Sequence, residues 1–285
     1  MLAQYFCNGI IAGSAYSLIA IGYTMIYGVG RFINFAHGEV YMVSAYAFFA
    51  CYILLDYSAW VSAVLAGVCA IALALLLERI AYRPFRNAPR LVPVVTTLGA
   101  STILKAVLAL LFGIQSRSLL KGESFQAPWN VSGILFTPSQ LFTLICSVGL
   151  MLALAAVLKG TRVGKSLRAV ADDAQAARYV GIDTIRVTSM TFAIGGFLAG
   201  VAGILVGYDQ NIQPHMGLLA GFKGFTAAVL GGIGSIPGAC LGGFVLGIAE
   251  HIGAGYLPSI YRESISFAIL ILILLARPQG IFGEK

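Results

Sequence analysis

The chain has 285 residues, of which 59% are hydrophobic and only 10% charged, and its mean hydropathy is +0.90. Soluble domains carry about a quarter charged residues, so this composition excludes an ordinary soluble fold and leaves no room for a soluble domain beside a polytopic bundle. The net charge of +7 does not indicate a nucleic-acid partner, because the positives fall between apolar runs and not on one soluble face beside base-reading side chains.

In chain order, apolar runs at 9–28, 40–55, 60–78, 91–113, 139–158, 187–208 and 264–277 predict helical membrane crossings or parts of them. No Lys or Arg precedes Arg31, so the first run lacks the basic leader of a cleavable signal and is expected to stay in the protein. Residues 114–138, with Pro128 and Trp129, predict the longest external loop; its Asn130-Val131-Ser132 tripeptide matches a glycosylation acceptor with nothing else in support. Residues 224–250 are punctuated by Gly231, Gly232, Gly234, Pro237 and Gly238, which break any single straight helix.

Charge sets the expected orientation. Arg79, Arg83, Arg86 and Arg90 form one basic cluster, and Lys159, Arg162, Lys165, Arg168, Arg178 and Arg186 form another; both predict cytoplasmic loops. Counting crossings from them puts the N-terminus outside. Two short crossings over 224–250 then return Arg277 and Lys285 to the cytoplasm. The expectation is an all-α, single-domain transmembrane bundle over residues 1–285, with eight or nine crossings, nine preferred, and a cytoplasmic C-terminus.

The one long polar passage is GTRVGKSLRAVADDAQAARYVGID, from Gly160. It is not a phosphate-binding loop: Gly160 and Gly164 are separated by three residues, where that loop needs four. Leu167, Val170, Ala171, Ala174, Ala177 and Val180 recur at helical spacing, predicting a short amphipathic helix over about 166–180, with Ser166 as N-cap and Gly181 at the C-terminal cap. Its apolar face is mostly alanine, which buries little area in lipid and suits close docking against another protein.

Other polar residues stand out against the apolar background. Asn34-Phe35-Ala36-His37-Gly38-Glu39 separates two apolar runs. Ionisable groups at membrane depth face a polar path or a partner, and a turn at the membrane surface stays open as the alternative. Lys105 lies well inside 91–113, with Thr96, Thr97, Ser101 and Thr102 before it; either an ion pair to Glu39 or Glu250 or a pore-facing role accounts for it. Glycines four apart, Gly196/Gly200, Gly203/Gly207, Gly238/Gly242 and Gly243/Gly247, offer bare backbone to neighbouring helices. The five cysteines, odd in number and set in apolar runs, are expected to pack as small residues, and His37, His215 and His251 stand too far apart to suggest a metal site.

Gln175-Ala176-Ala177-Arg178-Tyr179-Val180-Gly181 resembles the Glu-Ala-Ala-x-x-x-Gly core with which ABC-importer permeases engage their ATPase subunits. Gln replaces Glu, and the Ile-x-Leu-Pro that follows in the wider superfamily is missing. With GSAYSLIAIGYTMIYGVGRFINFAHGEVYMVSAY from Gly13, ERIAYRPFR from Glu78, RVGKSLRAVADD from Arg162 and GFTAAVLGGIGSIPGACLGGFVLGIAE from Gly224, nearly the whole chain resembles the branched-chain amino acid ABC transporter permeases, specifically the shorter of their two membrane subunits. The resemblance implies a multi-pass protein of the bacterial inner membrane that translocates branched-chain amino acids without catalytic residues or cofactors of its own. It implies a second permease subunit, two cytoplasmic ABC ATPases using ATP-Mg, and a periplasmic amino-acid-binding protein as partners.

Leu167, Val170, Ala171, Ala174, Gln175, Ala176, Ala177 and Gly181 are then the expected ATPase-coupling residues. Asn34, His37, Glu39, Thr97, Ser101, Lys105, Gly231, Gly232, Gly234 and Pro237 are expected at the translocation path or its gate. The rival reading is an ion-coupled secondary transporter, which calls for mid-membrane carboxylates and two inverted halves; carboxylates are scarce in the spans, and no internal repeat is legible.

Overall fold

The computed structural model describes residues 1–86, 88–89, 91–119, 127–131, 133–258, 261–277 and 279–283. Arg90, Lys285, the Ser132 of the glycosylation tripeptide and residues 120–126 of the expected external loop lie outside the described residues. The chain folds as helices α1 (Leu2–Gly30), α2 (His37–Phe49), α3 (Ala59–Leu77), α4 (Leu91–Phe112), α5 (Pro138–Gly160), α6 (Arg162–Asp172), α7 (Ala174–Tyr179), α8 (Thr184–Asp209), α9 (Met216–Gly231), α10 (Ile236–Tyr256) and α11 (Arg262–Ala276). A π-helical turn, Ala50–Leu54, extends α2, and a second, Glu78–Tyr82, extends α3 into a 3-10 turn, Arg83–Phe85. Among the described residues, six helical segments, α1, α3 with its extension, α4, α5, α8 and α10, are long and apolar enough to cross a membrane.

Each expected apolar run falls on a helix, and the glycine-broken segment becomes two. Helix α9 stops at Gly231, Gly232 and Gly234 adopt φ of +103° and +105°, which side-chain-bearing residues resist, and Ser235 then caps α10 by accepting from the Gly238 amide at 3.2 Å. Pro237 occupies the first turn of α10, where its missing amide costs no hydrogen bond. Within the stretch expected to be an external loop, Trp129–Val131 (β1) and Ile134–Phe136 (β2) pair as an antiparallel hairpin. Thr137 and Gln140 then form a reciprocal capping box that starts α5.

Backbone contact through small residues holds the bundle. Helices α1 and α10 run antiparallel at close range: a Cβ added at Gly9 would sit 2.6 Å from Ile248 Cα, and one at Gly13 would sit 2.8 Å from Phe244 Cα. Ser17 completes the seam, donating its hydroxyl to the Cys240 carbonyl at 2.7 Å. Helices α8 and α3 repeat the device, with Gly196 and Gly200 against Ala74 and Ala70. Helix α2 lies on α8 and α9 lies on α1, while α1 and α8 cross antiparallel where Gly22 meets Gly195. Swapping α1–α3 for α8–α10 therefore maps the contacts onto themselves with reversed direction. An inverted internal repeat is present that the sequence does not reveal.

Candidate functional site: the polar helical segment and the buried polar junction

The polar passage after α5 forms two helices, not one. Thr161 caps α6 by accepting from the Gly164 amide at 3.1 Å, so the cap lies five residues before the expected Ser166. Ser166 instead donates to the Arg162 carbonyl at 3.0 Å, one turn back inside the helix. Asp173 ends α6 in extended conformation, and its carboxylate accepts from the amides of Gln175 and Ala176 at 2.7 and 3.0 Å, starting α7. An N-cap side chain competes with continued helix, and that competition splits the expected helix over 166–180. Gly181 does terminate the segment, at φ +85°, with the Ile182 amide reaching the Ala177 carbonyl at 3.0 Å.

The face expected to dock outward points inward at three positions. Leu167, Val170 and Ala177 are 5%, 3% and 3% exposed and pack in the same core as Leu154, Leu158 and Val187 of α5 and α8. The reason is local: these residues and Gly164 fall on the one side of the segment that meets α5 and α8, and Gly164 lies in backbone contact with Leu158. Ala171 and Ala174 are half-buried, whereas Gln175, Ala176 and Gly181 stay exposed. The side chains that project are Tyr179 and Val180, 90% and 77% exposed. The hydrophobic periodicity located the segment but not its outward face, because a periodic stripe marks burial without saying against what. Arg31, in left-handed conformation after α1, donates to the Ala171 carbonyl at 2.6 Å, and Arg168 donates to the Leu158 carbonyl, so the segment is fastened to the bundle at both sides.

The expected path residues gather in part. Asn34 is buried and turns the chain into α2, its Oδ1 accepting from the Ala36 amide at 3.1 Å and its carbonyl from the His37 amide at 3.1 Å. His37 is buried with its ring edge on Tyr23, centroids 4.8 Å apart. Glu39 is fully buried and accepts through Oε1 from Ser101 Oγ at 2.8 Å, linking α2 to α4. Thr97 is buried one turn before Ser101 on the same face, its hydroxyl donating to the Val94 carbonyl. Lys105 lies one turn beyond Ser101 on α4 and closes no salt bridge among the described residues. Glu250, the other candidate partner, is engaged elsewhere. The group formed by Gly231, Gly232, Gly234 and Pro237 is remote from this junction. It is a packed corner: Gly231 touches Gly238, and the C-terminal strand of chain docks there through Ile281 N to Leu230 O at 2.9 Å and Phe282 N to Gly231 O at 3.0 Å.

Two features escaped the sequence reading. The N-terminal turns of α2 and α9 meet backbone to backbone, with Gly38 against Gly217 and Gly221, and Gly217 against the Glu39 carboxylate. Lys223 of α9, Glu250 of α10 and Arg262 of α11 form a buried charge cluster: Glu250 is fully buried, with Lys223 Nζ at 2.5 Å and Arg262 Nε at 3.2 Å. Lys223 also donates to Tyr16 of α1 at 3.2 Å, and Arg262 contacts His251. Single charges inside α9 and α10 were the available signal, but pairing them requires knowing that these helices are neighbours.

A bundle closed by small-residue seams, carrying a short two-helix segment on its basic side, matches one known family along nearly its whole length. The family described as branched-chain amino acid transport system, permease component, matches residues 5–274. The chain belongs to this family. It is 43% identical to the high-affinity branched-chain amino acid transport system permease protein LivH of Escherichia coli K12, over 99% of this chain and 95% of the relative. It is 40% identical, at the same coverage, to the corresponding permease BraD of Pseudomonas aeruginosa, and 30% identical to a probable LivH of Methanocaldococcus jannaschii over 97% and 91%. Among solved structures, PsaBC from Streptococcus pneumoniae in complex with Fab aligns over 99% of this chain and 92% of that chain at a TM-score of 0.48 and 12% identity, too distant to bear on function.

Proposed function

We propose that this permease component forms half of the pore of an ATP-driven importer that carries branched-chain amino acids across the bacterial inner membrane. The family match over residues 5–274 is the observation that carries the reading. A second permease subunit supplies the other half, two cytoplasmic ATPases using ATP-Mg supply the force, and a periplasmic amino-acid-binding protein delivers the cargo. The chain contributes passage and leverage, and chemistry stays with the ATPases.

In this reading nine helical crossings thread the membrane: the six long segments and the shorter α2 with its extension, α9 and α11. The N-terminus is outside and the C-terminus inside. Supporting this orientation, residues of the two basic clusters meet at one end of the bundle, where Arg83 of the α3 extension donates to Ser189 of α8 at 3.1 Å and lines the same cavity as Arg178; cytoplasmic loops carry the Lys and Arg excess.

The ATPase grips the segment α6–α7 at its exposed side, Gln175, Ala176, Tyr179, Val180 and Gly181. The buried Leu167, Val170 and Ala177 transmit the movement to α5 and α8, with Ala171 and Ala174 at the edge. Glu39, Ser101, Thr97, Lys105, Asn34 and His37 set the junction of α2 with α4 and α9, where a shift of one half against the other opens the path. The glycine corner at 231–237 fixes the angle between α9 and α10.

Ala176→Arg and Tyr179→Ala test the assignment. Both leave the chain folded and membrane-inserted, and both abolish ATP-dependent uptake of leucine; normal uptake with normal ATPase association in both variants overturns it. Arginine at Ala177 is unsuitable for this purpose because that residue is inside the fold.

A further inference from the structure

The end of the bundle that carries the two-helix segment contains a cavity of about 110 Å³. One wall is the extension of α3, with Glu78, Arg83 and Arg86; the opposite wall is α7 with Arg178 and the start of α8. Three guanidinium groups therefore face a space with one carboxylate. That carboxylate is already spent: Glu78 accepts from Arg83 Nε at 3.1 Å and Arg83 Nη2 at 2.9 Å, a bidentate pair, and from Ser189 Oγ at 3.3 Å. Among the described residues Arg178 uses only Nε, donating to Thr184 Oγ1 at 3.0 Å, which leaves both terminal nitrogens. Arg86 makes no hydrogen bond or ion pair among the described residues. Tyr82 of that wall is stacked on Phe32 with centroids 4.5 Å apart.

Two unneutralised forks thus approach one small volume from separate structural elements. We propose that the cavity binds a phosphate group, held by Arg86 from the α3 side and Arg178 from the α7 side. Arginine forks match phosphate oxygens two at a time, and basic pockets between membrane helices suit anionic headgroups. A cavity of this volume, open on one side, admits a phosphate group. The cavity lies where α1 and α3 end and α8 begins, among residues of the two basic clusters. The occupied site would clamp α7 to the bundle; that consequence rests on the coupling role proposed above, whereas occupancy does not.

The test uses the full chain with the subunits that accompany it, stripped of lipid in detergent and titrated separately with phosphatidylglycerol, phosphatidylcholine and inorganic phosphate. Thermal stability and bound phosphorus are read together. Saturable stabilisation by phosphatidylglycerol alone identifies a lipid headgroup as occupant, and saturation by inorganic phosphate as well identifies a small-anion site. In either case Arg86→Gln raises the half-saturating concentration by about tenfold, the worth of one charge-assisted contact, and Arg178→Lys raises it similarly by removing the fork while keeping the charge. Lys165→Gln, outside the cavity, leaves it unchanged. Equal stabilisation by phosphatidylcholine, no saturation in any arm, or saturation unaltered in Arg86→Gln overturns the proposal. Arg86 is exposed and without partner among the described residues, so its substitution does not threaten the fold, and a failed titration leaves the uptake results on Ala176 and Tyr179 standing.

Discussion

A buried charge is tolerated only in company, and Glu250 shows how much hangs on one carboxylate. Lys223 and Arg262 both lean on it from different helices. Glu250→Gln strands two cations at once and is expected to destabilise the chain by about 3–5 kcal/mol; Lys223→Met, which leaves Arg262 in place, costs clearly less. Thermal unfolding of the two detergent-solubilised variants against the parent gives the ranking, and equal losses would refute the shared-carboxylate account. At the α2–α4 contact, Ser101→Ala removes the hydroxyl that donates to Glu39 Oε1 and leaves that oxygen without its donor, a loss of about 1–3 kcal/mol by the same measurement. Both carboxylates and Lys105 are visible in the sequence as anomalies in apolar runs. Which of them pair is not, because Lys105 has Glu39 and Glu250 as equally plausible partners until the helices are placed.

Helical elements were legible wherever periodicity and punctuation agree. Gly231, Gly232, Gly234 and Pro237 announce a break, and the chain breaks there because positive φ angles at Gly232 and Gly234 precede a serine cap. The segment after α5 was legible as a helix but not as a pair of them, because Thr161 and Asp173 are both good caps and neither competes visibly with Ser166 in a linear reading. Thr161→Ala is expected to loosen α6 by about 1 kcal/mol, whereas Ser166→Ala, which removes a hydroxyl bonded back along the helix, changes little. Hydrogen exchange of the α6 amides distinguishes the two, and greater loss of protection in the serine variant would restore the later cap. Close seams between elements carry a sharper expectation. Gly247→Val forces a side chain onto the backbone of Gly9 and Gly13, so about 1–3 kcal/mol of stability is lost; Gly149→Ala, where no atom lies within 4 Å of the added carbon, is neutral.

At the scale of the whole molecule, the inverted relation between α1–α3 and α8–α10 changes which argument excludes an ion-driven carrier. Inverted halves are common in such carriers, so their presence here gives no ground for rejecting one; family membership does. ATP supplied inside vesicles holding the assembled transporter is expected to drive leucine uptake with every ion gradient collapsed, and uptake that follows an ion gradient without ATP would reverse the assignment. From composition and spacing alone came the membrane environment, the helical class, the position of the glycine corner and the location of the polar helical segment after α5, because each rests on short-range rules: hydropathy, the 3.6-residue period and the conformational habits of Gly, Pro and capping side chains. Only the tertiary structure decided that Leu167, Val170 and Ala177 face inward while Tyr179 and Val180 face out, that Lys223, Glu250 and Arg262 meet, and that the two halves mirror each other in packing. Those facts depend on contacts between residues far apart in the chain, and a periodic stripe or a lone charge carries no record of what lies across from it.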